Sequence, residues 1–192
     1  MSSDFAFEIP LGSIAPDFSL PAPDGVHWSL PANDKLKGFL VIFASTRCPF
    51  MRHIGHGVID YARGYAHKGV ATIAINVNAG ESFEDIAAET AKYGYPFPYV
   101  KDVDQKVAAA YIVSCTPDFF LFGPDRRLFY HGQFDDSSPA SPLPVTGSDL
   151  REATEALLAG QSAPEDQKYA LGACVAWDDD GAIDAIAACA GE

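Results

Sequence analysis

Apolar residues run unbroken from Phe39 to Ala44, with Gly38 before them and Ser45-Thr46 after, the pattern of a strand buried on both faces. The period then changes. Met51, Ile54, Val58, Tyr61 and Tyr65 recur three or four positions apart and predict one apolar stripe along a helix. Pro49 suits the first helical position, where its missing N–H would have no partner anyway, and Gly69 predicts an end after about Lys68. Residues 70–76, V-A-T-I-A-I-N, predict the next buried strand.

Upstream, residues 16–20 and 26–30 alternate apolar with polar around a Pro-Asp-Gly turn, predicting a hairpin ahead of the main sheet. Downstream, Ser82 with Asp85 three residues on has capping-box spacing and opens a helix to Tyr93, stopped by Gly94. Pro96 and Pro98 exclude residues 95–100 from a central strand, since each removes a ladder donor. A short helix is predicted from Asp104 to Tyr111, and residues 118–122 and 128–131 predict an antiparallel hairpin around Gly123–Arg127. Ser148 is expected to cap a helix to Leu158, ended by Gly160. Residues 135–146 read as a surface loop, 161–180 as a polar, acidic tail segment, and 183–190 as a short alanine-rich helix. The order describes an α/β layer fold with a mixed sheet, its first two main strands parallel through a right-handed crossover.

The 192 residues suit one domain, residues 1–177, followed by an acidic tail at 178–192. Thirteen basic against 26 acidic residues leave a net charge of −13, which argues against nucleic acid or an anionic membrane as partner. No run of about 18 apolar residues occurs, and the first ten residues lack a cationic start and an apolar core of secretory length, so a cytoplasmic location is expected. Cys48, Cys115, Cys174 and Cys189 are scattered, without a zinc-type C-x-x-C pair. In a reducing cytosol they are thiols at rest.

Cys48 falls where the buried strand hands over to the helix. The positive end of the helix favours a thiolate there, and Arg47 and Arg52 are placed to add to that. On a helix Cys48 lies about 100° from the centre of the apolar stripe, a partly shielded but reachable position, and Arg52 is about 40° round from it. An inert buried thiol is the plainer alternative, and it leaves the junction and the flanking arginines unexplained. His53 is about 140° round from Cys48, and His56 about 80° round and roughly 12 Å along, so the three cannot converge on one metal from this helix. The acidic clusters Asp135-Asp136 and Asp178-Asp179-Asp180 lack EF-hand spacing.

The strand, then S-T-R-C-P-F, then the helix, with C-T-P-D-F-F-L-F before a hairpin, resemble thioredoxin-fold redoxins. The chain is most similar to the peroxiredoxin-like group related to alkyl hydroperoxide reductase and thiol-specific antioxidant proteins. Residues 15–20, 93–99, 116–122, 132–136 and 144–160 share in the likeness. It implies a thioredoxin-like α/β fold, a mixed central sheet with helices on both faces and an N-terminal β-hairpin extension, and no cofactor. Relatives commonly carry C-x-x-C where this chain has Ser45-Thr46-Arg47-Cys48, so a dithiol cycle within the motif is unavailable. Peroxiredoxins use Thr/Ser-x-x-Cys here, with the hydroxyl orienting the peroxide. Their proline four residues before that hydroxyl is Val41 in this chain, and their later-strand arginine is replaced around Pro117.

By this resemblance Cys48 is the nucleophile, Ser45 the positioning hydroxyl and Arg52 or Arg47 the activating charge. Thr116 and Pro117 line the substrate groove as in the thioredoxin cis-proline loop. Cys115, two residues before Pro117, is the first resolving candidate and Cys174 the second. The implied activity is thiol-dependent reduction of a small hydroperoxide, recycled by a second thiol or by a thioredoxin-like or low-molecular-weight thiol reductant. Thiol–disulfide exchange on a protein disulfide is the alternative, and a non-catalytic or metal-binding thioredoxin-fold protein stands behind both. Monomer and homodimer are both left open.

Overall fold

Seven consecutive apolar or small residues cannot lie at a surface, and Gly38–Ala44 is buried along its whole length. In the computed structural model, which describes residues 9–30 and 35–178, this segment is the middle strand of the molecule. The chain begins with β1 (Ser19–Pro21), β2 (His27–Ser29), β3 (Gly38–Ala44), α1 (Pro49–Ala66), β4 (Val70–Asn76) and α2 (Phe83–Tyr93). It continues with β5 (Tyr99–Lys101), α3 (Lys106–Ala110), β6 (Cys115–Thr116), β7 (Asp118–Phe122), β8 (Leu128–Gly132), α4 (Ser148–Leu158) and β9 (Ala173–Cys174).

The central sheet has the order β5-β4-β3-β7-β8. β3 pairs in parallel with β4 and antiparallel with β7, and β7 with β8 forms the antiparallel hairpin predicted from sequence. β1 and β2 pair antiparallel as the expected N-terminal hairpin. Successive side chains of β3 leave on opposite faces. Leu40, Ile42 and Ala44 join Met51, Ile54, Val58, Tyr61 and Tyr65 of α1, Ile86 of α2 and Leu150 of α4 in one core. Phe39, Val41 and Phe43 join Tyr111 at the end of α3 and Phe18, Leu20 and Leu30 of the hairpin region in the other.

Local signals set most boundaries. Ser82 accepts from Asp85 N–H at 3.1 Å while the Asp85 carboxylate accepts from Ser82 N–H at 2.8 Å, and Gly94 closes the helix in the left-handed region at φ 65°. β5 begins just past Pro98 and lies at the sheet edge, the one place two nearby prolines allow. Helix α1 ends at Ala66, two residues before the expected Lys68, and α3 starts at Lys106 rather than Asp104.

Two predictions about loops need correction. Residues 135–146 are not simply a solvated loop: Asp135 is 3 % exposed. Its carboxylate accepts from the N–H groups of Ser137 (2.9 Å), Thr146 (2.6 Å) and Gly147 (2.5 Å). Burial alone would raise the pKa of Asp135, but these bonds outweigh it and lower it. Gly147, not Ser148, is the N-cap of α4; it sits at φ 65°, and a Cβ there would meet the Phe134 ring at 2.5 Å.

The second correction concerns the predicted tail. Residues 167–178 form a strap across the sheet end that carries Cys48. Gln167 bonds the backbone of Phe129 and His131, β9 pairs antiparallel with β6, and Ala176 bonds Ala79 and Asn78. Gln105 bonds Val77 O and Ala176 O through its side-chain amide, fastening the strap's far end. The helix predicted at 183–190 and Cys189 lie outside the described residues, as does most of the tail proposed at 178–192.

Tyr111 is the keystone of the second core. It is fully buried, its ring lies 5.0 Å from Phe43 and 5.3 Å from Phe120, and its hydroxyl donates to Pro16 O at 3.0 Å. Tyr111→Ala is expected to cost about 3–5 kcal/mol in urea unfolding, against about 1 kcal/mol for Tyr111→Phe, which loses only the hydrogen bond. Equal losses in the two variants would rule out ring packing as the main contribution.

Candidate active site

The turn between β3 and α1 puts Cys48 at the N-cap of the helix, with Pro49 first in the helix as predicted. Cys48 Sγ accepts from Met51 N–H at 3.5 Å and donates to the carbonyl of Thr116 at 2.9 Å. Cys48 is 3 % exposed, more buried than its angle on an isolated helix implied. The cause is not on α1: the loop that carries Thr116 packs onto the sulfur from across the sheet. The Thr116–Pro117 bond is cis, which matches the resemblance to the thioredoxin loop.

The arginines do other work than expected. Arg52 does not bond the sulfur; its Nε and Nη2 both donate to Thr46 O, at 3.1 and 2.8 Å. Arg47 leaves the site: its guanidinium is largely exposed, donates to Gly80 O at 3.3 Å and lies 3.6 Å from Asp85. Both were drawn toward oxygen acceptors, which bind a guanidinium more strongly than a thiol sulfur does.

Ser45 is also committed elsewhere. It is fully buried, and its hydroxyl donates to Glu81 Oε1 at 2.5 Å while accepting from Arg47 N–H at 3.2 Å. Glu81 is the residue that sequence reasoning missed. Its other oxygen accepts from Thr46 N–H (2.8 Å), Thr46 Oγ1 (2.8 Å) and Asn76 Nδ2 (2.6 Å). Burial pushes the Glu81 carboxyl up, but the donors from Ser45, Asn76 and Thr46 outweigh it and hold its pKa below the ordinary value. The only local signal was its place just past the C-terminal end of β4, where loops of parallel sheets build sites.

Cys115 and Cys174 lie directly opposite one another across the β6–β9 ladder, with Cys115 half-buried and Cys174 exposed. Burial, with the charge of Asp118 second, pushes the Cys115 thiol up to about 12. Asp118 is itself buried and bonds His131 Nε2 at 2.9 Å. Thus Cys48, Ser45, Thr116, Pro117, Cys115 and Cys174 gather at one end of the sheet, and the two arginines serve its scaffold. Among the described residues no three His, Cys, Asp or Glu side chains converge in a way that could hold a metal ion.

Glu81→Gln tests the anchor. An amide would turn donors toward donors, and stability at neutral pH should fall by about 1–3 kcal/mol in urea unfolding. Because the folded-state pKa is depressed, this contribution is complete above the unfolded value of about 4.3 and is lost as pH falls through the folded value. The gap between wild type and variant should therefore narrow in acid; a gap unchanged from neutral pH to below that value would contradict an ionised Glu81.

The AhpC/TSA family model matches residues 11–131. The thiol-disulfide oxidoreductase ResA of Bacillus subtilis is 34% identical over 118 residues, which cover 61% of this chain and 64% of that protein's length. A crystal structure of a hypothetical protein from Sinorhizobium meliloti superposes with TM-score 0.86 at 43% identity, covering 89% of this chain and 96% of that one. A thiol-disulfide oxidoreductase from Bacteroides fragilis shares the fold at TM-score 0.57 and 21% identity, over 73% of this chain and 98% of that one. With its sheet order, its Cys-Pro helix start and this match over more than half its length, the chain is a thioredoxin-fold member of the AhpC/TSA family.

Proposed function

We propose that this protein is a thiol–disulfide oxidoreductase that works through Cys48 alone in its motif, by way of mixed disulfides. The observation that carries this reading is the buried bond from Ser45 to Glu81, which ties up the hydroxyl that a peroxide would need for orientation. The likeness to ResA, named a thiol-disulfide oxidoreductase, supports it.

The cycle begins when Cys48 gives up the proton it shares with Thr116 O. Its thiolate attacks one sulfur of a protein disulfide, forms a bond to that sulfur and expels the other as a thiolate. A thiol from outside, low-molecular-weight or thioredoxin-like, then attacks the Cys48 sulfur, expels the substrate's second thiolate and stays bonded to Cys48; a second thiol attacks the outer sulfur of that mixed disulfide and frees Cys48. Two thiols are oxidised for each disulfide reduced, and no cofactor is needed. Access requires the Thr116 loop to yield, because Cys48 is buried at rest.

Hydroperoxide reduction is the second reading, favoured by the family match and by the Ser45-x-x-Cys48 spacing. The two separate in one assay set with dithiothreitol as reductant. Wild type should accelerate reduction of insulin disulfides, Cys48→Ser should return the rate to that of dithiothreitol alone, and hydrogen peroxide consumption should be the same for both proteins. Cys48-dependent peroxide consumption without disulfide reduction would replace the exchange reading with the peroxidase one.

A further inference from the structure

The β6–β9 ladder brings two cysteines into register on one face. Cys115 is paired with Cys174 and Thr116 with Ala173. The next pair out, Ser114 and Val175, is joined by Val175 N–H donating to Ser114 O at 3.1 Å. In an antiparallel ladder bonded and non-bonded pairs alternate, so Cys115 and Cys174 occupy a non-hydrogen-bonded pair. There α-carbons approach to about 4.5 Å and directly opposed side chains project to the same side. Disulfides take α-carbon separations of about 4.4–6.8 Å, so this pair needs no backbone movement to bridge. Both are free thiols, and Cys115 Sγ already faces the strap, 3.7 Å from Ala170 O.

We propose that Cys115 and Cys174 form a second redox site, a reversible cross-strand disulfide made by exchange with small-molecule disulfides of the oxidised-glutathione class. Entry is at Cys174, the exposed partner. Its thiolate attacks the small disulfide, bonding one sulfur and expelling the other as a thiolate. Cys115, as thiolate, then attacks the Cys174 sulfur and expels the second small thiolate. The two cysteines lose two protons and two electrons, and one disulfide becomes two thiols.

Reversal is slow for a physical reason. An attacking thiol can reach only the exposed Cys174 sulfur, and the Cys115 thiolate this expels stays directly opposite in the ladder, placed to close the bridge again; the sulfur whose attack would eject Cys174 is the half-buried one. The bridge is therefore a latch, closing on the strap. Gly172 packs so tightly there that a Cβ would lie 2.2 Å from Thr116 O, the same carbonyl that accepts the Cys48 thiol. Oxidation would fix the backbone that closes over Cys48.

The test is run in Cys48→Ser, so that it does not depend on the exchange activity proposed for Cys48. After incubation with oxidised glutathione, peptide mapping without reductant should find Cys115 linked to Cys174, and hydrogen exchange at Val175 N–H should slow. Adding Cys115→Ser should leave Cys174 carrying a stable glutathione adduct and remove the slowing. A persistent adduct on Cys174 with Cys115 intact, or a bridge from Cys174 to Cys189, would overturn the proposal. So would recovery of all the thiols unmodified.

Discussion

One buried carboxylate determines the shape of the active end of this molecule. Ala44 and Asn76 stand side by side at the ends of the parallel strands β3 and β4, and Glu81 spans both chains where they leave the sheet. A buried anion is tolerated only when its oxygens are filled, and Ser45, Thr46 and Asn76 fill these. The Thr46 peptide is thereby gripped from both sides, its N–H by Glu81 and its carbonyl by Arg52. Cys48, the N-cap of α1, comes two residues later, so it stands where this clamp puts it.

That arrangement explains which parts of the structure were legible in the sequence. The strand at 38–44, the stripe on α1, the capping box at Ser82 and the hairpin of β7 and β8 each follow from residues within a few positions of one another. Cys48 at a helix start and Pro117 in a cis bond were legible for the same reason, one from the strand-to-helix change and the other from the resemblance of its flanking residues. Glu81 was not, because one glutamate among 26 acidic residues has no pattern, and its meaning comes from strands that the fold places together. Asp135 was hidden likewise: its partners at 146 and 147 are brought to it by a loop. The arginines were misread because helix angle gives reach but not preference among acceptors, and a carbonyl left open at the turn outcompetes a sulfur.

The strap shows the same limit at larger scale. Residues 167–178 are mostly small or apolar between Lys168 and Asp178 but carry no periodic signal, yet Val175 is buried, Trp177 packs on the second core and the backbone pairs with β6. Such a segment is held by hydrogen bonds to loops far away in sequence, and its two-residue strand is too short to announce itself. Its stability is borrowed from Gln105, Asn78 and Thr116, so a change at any of these loops is felt at the others. The loop over Cys48 is thus coupled to a segment that sequence patterning leaves blank.

Ser45 ties these strands of reasoning together. A cysteine in its place would set a weak S–H donor against the Glu81 oxygens, and its thiolate would face a second negative charge at hydrogen-bond distance in a buried site. A hydroxyl meets neither difficulty, since it stays protonated and donates strongly. The serine and the glutamate are therefore one feature: an ionised Glu81 excludes a working nucleophile at position 45, and Ser45 helps keep Glu81 ionised. The nucleophile of the proposed exchange is therefore Cys48, which faces a carbonyl rather than a carboxylate and accepts from the Met51 N–H at the start of α1. Any second thiol has to come from another element of the fold or from another molecule.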